Sequence, residues 1–487
     1  SFDPACDIVP QFVLCVGWFG IEMEGLSTLD MKRLCLLLSL VSLLLSGVFA
    51  AAGEVPVLGL NDLVRMALEK SPQLKESDQD IVAAQSDLDQ AKAGQWAQLE
   101  VFALTTAAED AHLPTVVGNC LNNNDQDTYG IFGALEFVII QPLYTFGKIS
   151  HRQDAAKFGV LAQKAAREKR RAEVILNVKE LYFGLIVAKQ GIGAANDADQ
   201  FVKDARQRIQ RLLAVGSPNV SEVDLYRLET FESDIATFKA KAESGVRLAY
   251  LALKKTVGIK EDQEFQLDLK DLPKDARALD AQDDYIRKAM DQRPELVELK
   301  NGIEARKSLV EAAKADLYPS VFIAAVGSFA GAPGRDRMAF SYFPDRYNHA
   351  EAGGFLGTSW HFDLGIGTGK VNKAKAEHQK LLHTKDYAER NIPLEVAKYY
   401  QDALEFQKSF EAFEKGMIAA RKWIVSSFTD FDMGTGTAKD MFDAIDRYGK
   451  NRGDYLRALY SYHIALAKLS YAMGEQWSET EDAAPNR

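Results

Sequence analysis

Cysteine is almost missing from this chain: there are 4 in 487 residues, and Cys6, Cys15 and Cys35 all precede residue 53. Beyond that point Cys120 stands alone, so no internal disulfide framework is available. Histidine is also sparse, and His112, His151, His349, His361, His378, His383 and His463 are scattered. Even His378 and His383 lack the helical spacing that would place two ligands on one metal. No P-loop and no Gly-x-Ser-x-Gly elbow occurs, so nothing assigns a catalytic residue, metal or cofactor, and the chain is not read as an enzyme. Charged residues make up 26% of the total, which excludes a polytopic helical membrane protein. The net charge of −11 disfavours nucleic acid as a partner.

A single long apolar run is present, Leu34 to Phe49, preceded by Met31-Lys32-Arg33 and followed by Ala50-Ala51-Ala52. That order is a secretory signal over residues 31–52; the run is near the lower limit for a spanning helix, and a membrane anchor is the alternative. Cys35 lies inside the run rather than at its exit, so no lipid-acceptor cysteine follows cleavage. Residues 1–30 carry no clear pattern and read as an over-extended gene start or another upstream artefact.

The rest of the chain repeats itself. Residues 61–102 align without a gap to residues 283–324. Asp62 meets Asp284, Arg65 meets Arg287, Pro72 meets Pro294, and Ala91-Lys92-Ala93 meets Ala313-Lys314-Ala315. The register continues to Gly147-Lys148-Ile149 against Gly369-Lys370-Val371 and, after a small drift, to Gly258 against Gly474. Solenoid repeats are roughly 20–50 residues long, so a unit several times longer is a duplicated domain. The repeats are expected at 53–258 and 283–474, with 259–282 as a linker and 475–487 as a tail. Two similar halves about a pseudo-twofold axis suit a ring or tube better than a catalytic cleft.

Each half shows the same order of elements. Leu63, Ala67, Leu74, Ile81, Ala84 and Leu88 recur at helical spacing over 61–97, interrupted early by Pro72. Strands are expected at 98–110 and 129–146, joined by a polar, Asn-rich stretch. No proline or stop signal then intervenes from Gly147 to Leu213, which predicts one helix of roughly 65 residues, or about 100 Å. Val215-Gly216-Ser217-Pro218 ends it, and a second helix spans 221–257. The second half predicts helix 283–317, strands 320–331 and 352–366, helix 370–432, a break at Gly434-Thr435-Gly436, and helix 438–473.

The strands have the length of tilted membrane strands. Leu356, Thr358, Trp360 and Phe362 alternate with Gly357, Ser359, His361 and Asp363, an apolar-out, polar-in pattern. Tyr129, Tyr144, Phe146, Tyr318 and Trp360 gather at segment ends, where interfacial girdles would lie. Four strands cannot close a barrel, and open edges are prohibitive in lipid; three copies would close twelve strands. Soluble hairpins capping a helical bundle are the alternative. At the second helix break, Asp440 and Asp443 are three apart and share a helix face; they read either as a carboxylate ring or as ordinary helix-start aspartates at a positive dipole end.

With strand pairs set between long helices twice over, the chain resembles the TolC-like outer-membrane efflux proteins across roughly residues 58–475. The passages Gln141-Pro142-Leu143-Tyr144 and Ala315-Asp316-Leu317-Tyr318-Pro319-Ser320, with the glycine-broken tips, carry the resemblance. It implies a mainly helical protomer that trimerises into a twelve-stranded outer-membrane β-barrel continued by a helical barrel through the periplasm. It further implies a homotrimeric duct in outer-membrane lipid, working with a periplasmic adaptor and an inner-membrane pump of RND, ABC or MFS type, in efflux or type I secretion. Asp440 and Asp443 match the family's entrance aspartates. Gly436 stands where the family carries a basic locking residue, so any lock needs other partners and Glu222 is left without its usual one. Gly216, Ser217, Gly434 and Thr435 are the expected adaptor contacts. A non-channel periplasmic coiled-coil scaffold or adaptor is the alternative reading.

Overall fold

The computed structural model describes residues 55–112, 115–117, 120–122, 128–260, 262–268, 270–274, 278–338 and 342–475. The expected upstream artefact, signal peptide and C-terminal tail lie outside the described residues, save for Glu475.

The helical segment expected over 61–97, interrupted at Pro72, is two helices, α1 (Leu60–Lys70) and α2 (Pro72–Ala93). Pro72 cannot donate into a preceding turn, so the chain bends at Ser71. The Ser71 hydroxyl then accepts the Leu74 N–H at 3.5 Å and caps α2. The second half bends the same way at Arg293-Pro294, between α5 (Gln282–Gln292) and α6 (Pro294–Ala315). Arg293 is buried at this elbow and bonds Glu395 at 2.6 Å and Glu295 at 3.3 Å. Burial alone would lower the basicity of its guanidinium, but the two carboxylates outweigh it and the net shift is upward.

The long helices are α3 (Lys148–Ala214) and α7 (Ile366–Asp432), each of 67 residues, which is about 100 Å of rise. They turn back into α4 (Glu222–Val257) and α8 (Ala438–Met473), each of 36 residues. Gly258 and Gly474 end these at φ 72° and 71°, the left-handed conformation that closes a helix. Pro393 lies inside α7, where it removes one backbone bond. Tertiary packing offsets that loss: Ile392 and Val396 on either side are buried with Ala289 of α5 and Leu469 and Ala472 of α8.

The main sheet holds β2 (Gln98–Glu109), β5 (Tyr129–Tyr144), β7 (Ser320–Gly331) and β8 (His349–Ser359), in that order and antiparallel throughout. A small hairpin, β3 (Thr115–Val117) with β4 (Cys120–Asn122), fills the Asn-rich stretch. β8 is shorter than the expected 352–366. The Asp363 carboxylate accepts the N–H groups of Gly365 and Gly367 at 3.2 and 2.7 Å. Gly365 sits at φ 131°, so the chain turns into α7 instead of extending. Trp360 to Asp363 therefore lie beyond the strand, and of the expected alternation only Leu356 to Ser359 is kept.

Segment 259–282 is more than a linker. Its strand β6 (Gln266–Leu267) pairs in parallel with β1 (Val57–Leu58), and Phe265, Leu267 and Leu272 enter the main core beside Leu63, Leu185, Tyr182 and Leu459. Burying one such side chain fully is worth roughly 1.5–3 kcal/mol. Tyr182 donates to Asp268 at 2.6 Å, Gln190 to Asp271 at 2.7 Å, His463 meets the Pro273 carbonyl at 2.8 Å, and Lys274 pairs with Glu414 at 2.9 Å. The segment is thus a belt tied to both helix pairs. Element lengths match across the two halves: 11 and 11, 22 and 22, 12 and 12, 67 and 67, 36 and 36 residues. Among the paired elements only the second strands differ, 16 against 11.

Candidate functional site

At the far end from the sheet the chain turns twice, by the same device. The N–H of Gly216 bonds the Leu213 carbonyl, and that of Ser217 the Leu212 carbonyl, both at 3.0 Å. In the second tip Gly434 bonds Phe431 at 3.0 Å and Thr435 bonds Asp430 at 2.9 Å. Gly216 and Gly434 take φ 69° and 77°, where a side chain would be strained. Each following helix opens with a reciprocal cap. Ser221 N–H and Oγ donate to Asp224 at 3.0 and 3.1 Å. Thr437 N–H and Oγ1 donate to Asp440 at 3.3 and 2.7 Å, and Asp440 N–H returns to Thr437 Oγ1 at 3.2 Å.

Asp440 is therefore a capping residue as well as an acidic one, and Asp224 repeats its place in the first tip. Asp443 is exposed on the same flank one turn on, and Glu222 is exposed at the start of α4. Gly436 is closed to any larger residue: a Cβ there would lie 2.9 Å from the Phe431 nitrogen and 3.0 Å from the Asp430 carbonyl carbon. A basic side chain at this position would require the tip backbone to shift.

Two residues, Arg208 and Asn219, join the tips instead. Arg208 of α3 donates to both Asp432 oxygens at 3.1 and 3.0 Å and its guanidinium lies 4.7 Å from the centre of the Phe428 ring. Asn219 Nδ2 donates to the Gly434 carbonyl at 3.4 Å. Beneath them, Ile209, Leu228, Phe431, Met441 and Phe442 form one buried cluster. No local pattern ties Arg208 to Asp432, so sequence reasoning had no route to this pair.

The sheet separates its faces by register. One face carries Leu99, Val101, Ala103, Ile139, Phe137, Leu135, Ala325, Phe329, Gly354, Ala352 and Leu356. Its one charge, Glu109, sits at the hairpin end opposite Tyr129. Phe137 faces Gly327 across the pair, and a Cβ on that glycine would meet the ring at 2.2 Å, which pins the register. The opposite face carries Glu100, Glu136, Glu351 and His349 among Phe102, Phe132, Phe322 and Phe355. At the helix end, Tyr144 meets Phe146 edge-on at 4.7 Å, Phe146 stacks on Tyr318 at 5.5 Å, and Trp360 donates to the Leu317 carbonyl at 3.1 Å. No described helix is long and apolar enough to cross a membrane.

The family model described as outer membrane efflux protein matches residues 63–258 and 285–475. The chain is similar to the outer membrane protein TolC of Vibrio cholerae, at 21% identity over 424 residues covering 85% of this chain and 90% of that one. It is also similar to the alkaline protease secretion protein AprF of Pseudomonas aeruginosa, at 22% over 429 residues, covering 86% and 84%. Among solved structures, the outer-membrane channel OprN superposes with a TM-score of 0.71 at 19% identity, over 86% of this chain and 90% of that one. The CmeC outer membrane channel of Campylobacter jejuni gives 0.67 at 18%, over 87% of each.

Proposed function

The chain belongs to the outer membrane efflux protein family, and we propose that it works as the passive exit duct of a tripartite efflux or type I secretion assembly. As a member it is a Gram-negative outer-membrane protein reaching into the periplasm. The observation that carries the proposal is the combination of a sheet with one apolar face and two open edges, β2 and β8, with helices of 67 residues. Open edges cannot stand in lipid, so β8 of one copy pairs with β2 of the next. Three copies then close twelve strands over a helical barrel. We read the matched element lengths as a duplication that makes this barrel nearly sixfold.

Closure is assigned to the tips. Arg208 with Asp432 and Phe428, and Asn219 with Gly434, hold the two helix pairs of one copy together, in place of the basic residue that Gly436 cannot be. Asp440, Asp443 and Glu222 then rim the entrance as carboxylates. The exposed turns at Gly216, Ser217, Gly434 and Thr435 offer the surface to a periplasmic adaptor, and an inner-membrane pump supplies the energy.

The test is assembly. Outer-membrane extracts run on detergent gels should give a trimer that collapses to monomer only on heating. A soluble periplasmic monomer would favour the coiled-coil scaffold instead.

A further inference from the structure

The tips are not the only charged section of the path. In the sheet register, Phe102, Glu136, Ser328 and Glu351 stand opposite one another as one row across all four strands. Glu100 follows one level nearer the helices on the same face, opposite Val138. No lysine or arginine occurs in β2, β5, β7 or β8. The one basic side chain is His349, one level beyond the row opposite Ala330. Its Nδ1 lies 2.9 Å from the Asp345 carbonyl and its Nε2 2.7 Å from Ser328 Oγ. A carbonyl only accepts, so Nδ1 donates to it and Nε2 meets the serine hydroxyl.

We propose that this carboxylate face makes the β-barrel a cation-selective filter in its own right, with Glu136 and Glu351 as the residues that set selectivity. The inference rests on the duct reading given above. The opposite face is charge-free away from its hairpin end, and ionised groups turned to lipid are costly, so the carboxylate face lines the lumen. Glu136 and Glu351 are two strands apart, about 10 Å at the usual strand spacing, comparable to the Debye length at about 0.1 M salt. Their fields therefore overlap around the ring, with no strand lysine or arginine to cancel them. Phe102, Phe322 and Phe355 on the same face present low-dielectric walls that strengthen the field. Anions meet this barrier whether the tips are open or shut.

The experiment is the reversal potential of bilayer-inserted protein in a KCl gradient. It compares wild type, Asp440→Asn with Asp443→Asn, Glu136→Gln with Glu351→Gln, and Glu351→Lys. The tip variant should keep most of the preference for potassium. The isosteric barrel pair should lose the larger part of it while still conducting, and Glu351→Lys should move the potential further towards chloride. Selectivity abolished by the tip variant, or untouched by both barrel variants in conducting trimers, would overturn the filter and leave the duct standing. Absence of conductance from inserted wild-type trimer would remove both.

Discussion

Glycine and aspartate at the tips carry more structural duty than their sequence pattern announces. Gly216 and Gly434 are legible, because a glycine closing a long helical period predicts a left-handed turn. The Thr437-x-x-Asp440 cap is legible too, yet the spacing of Asp440 and Asp443 draws attention to a shared face rather than to the cap. Arg208 is not legible: a contact between α3 and α7 leaves no periodic trace. Its strength follows from exposure. The Arg208 and Asp432 side chains are 26% and 51% exposed, so one pair is worth at most about 1 kcal/mol. Summed over the three copies of the proposed trimer that is about 3 kcal/mol, on the order of 100-fold in the ratio of closed to open tips. Arg208→Ala should therefore loosen the entrance without unfolding the chain. Cells carrying it should become more sensitive to vancomycin, a large antibiotic held out by the outer membrane, and adding Asp432→Ala should bring no further loss. Unchanged sensitivity with normal trimer levels would remove Arg208 from the latch.

At the scale of elements, helix order and length follow from periodicity and from proline and glycine placement, and the departures have local causes. Pro72 and Pro294 each divide a helix, whereas Pro393 does not, because α5 and α8 pack against both sides of it. The end of β8 depends on Asp363 capping the next helix, which alternation alone would run past. The belt was hidden because an Asp- and Lys-rich stretch with Pro273 looks like a tether until Phe265, Leu267 and Leu272 are found in the core. Helix α6 also carries a testable burden. Burial pushes the Glu298 carboxyl up, against the downward pull of Lys169, and Glu295 adds to the rise. A carboxyl with a raised folded value binds its proton more tightly in the folded chain. The stability so gained is complete below the unfolded carboxyl range and is lost as pH rises through the folded value. At neutral pH the ionised group is a net cost, so Glu298→Gln should raise the Tm there. Its advantage should shrink as the medium is acidified towards about pH 4, the unfolded carboxyl range. A variant no more stable than wild type at neutral pH would show that Lys169 outweighs burial.

For the whole molecule, the gap-free alignment of residues 61–102 with 283–324 pointed to two halves, and the matched helix lengths follow the same division. The two faces of the sheet were only half legible. β8 alternates cleanly over Leu356 to Ser359, but β2 and β5 mix phenylalanine and glutamate, and only cross-strand register sorts them. The duct reading stands on conduction. The most direct measurement is single-channel recording of detergent-extracted protein in a planar bilayer, with and without Arg208→Ala. Wild type should give small, brief openings that widen when Arg208 is lost. A well-folded, bilayer-inserted protein that passes no current in either form would contradict the duct and favour the scaffold.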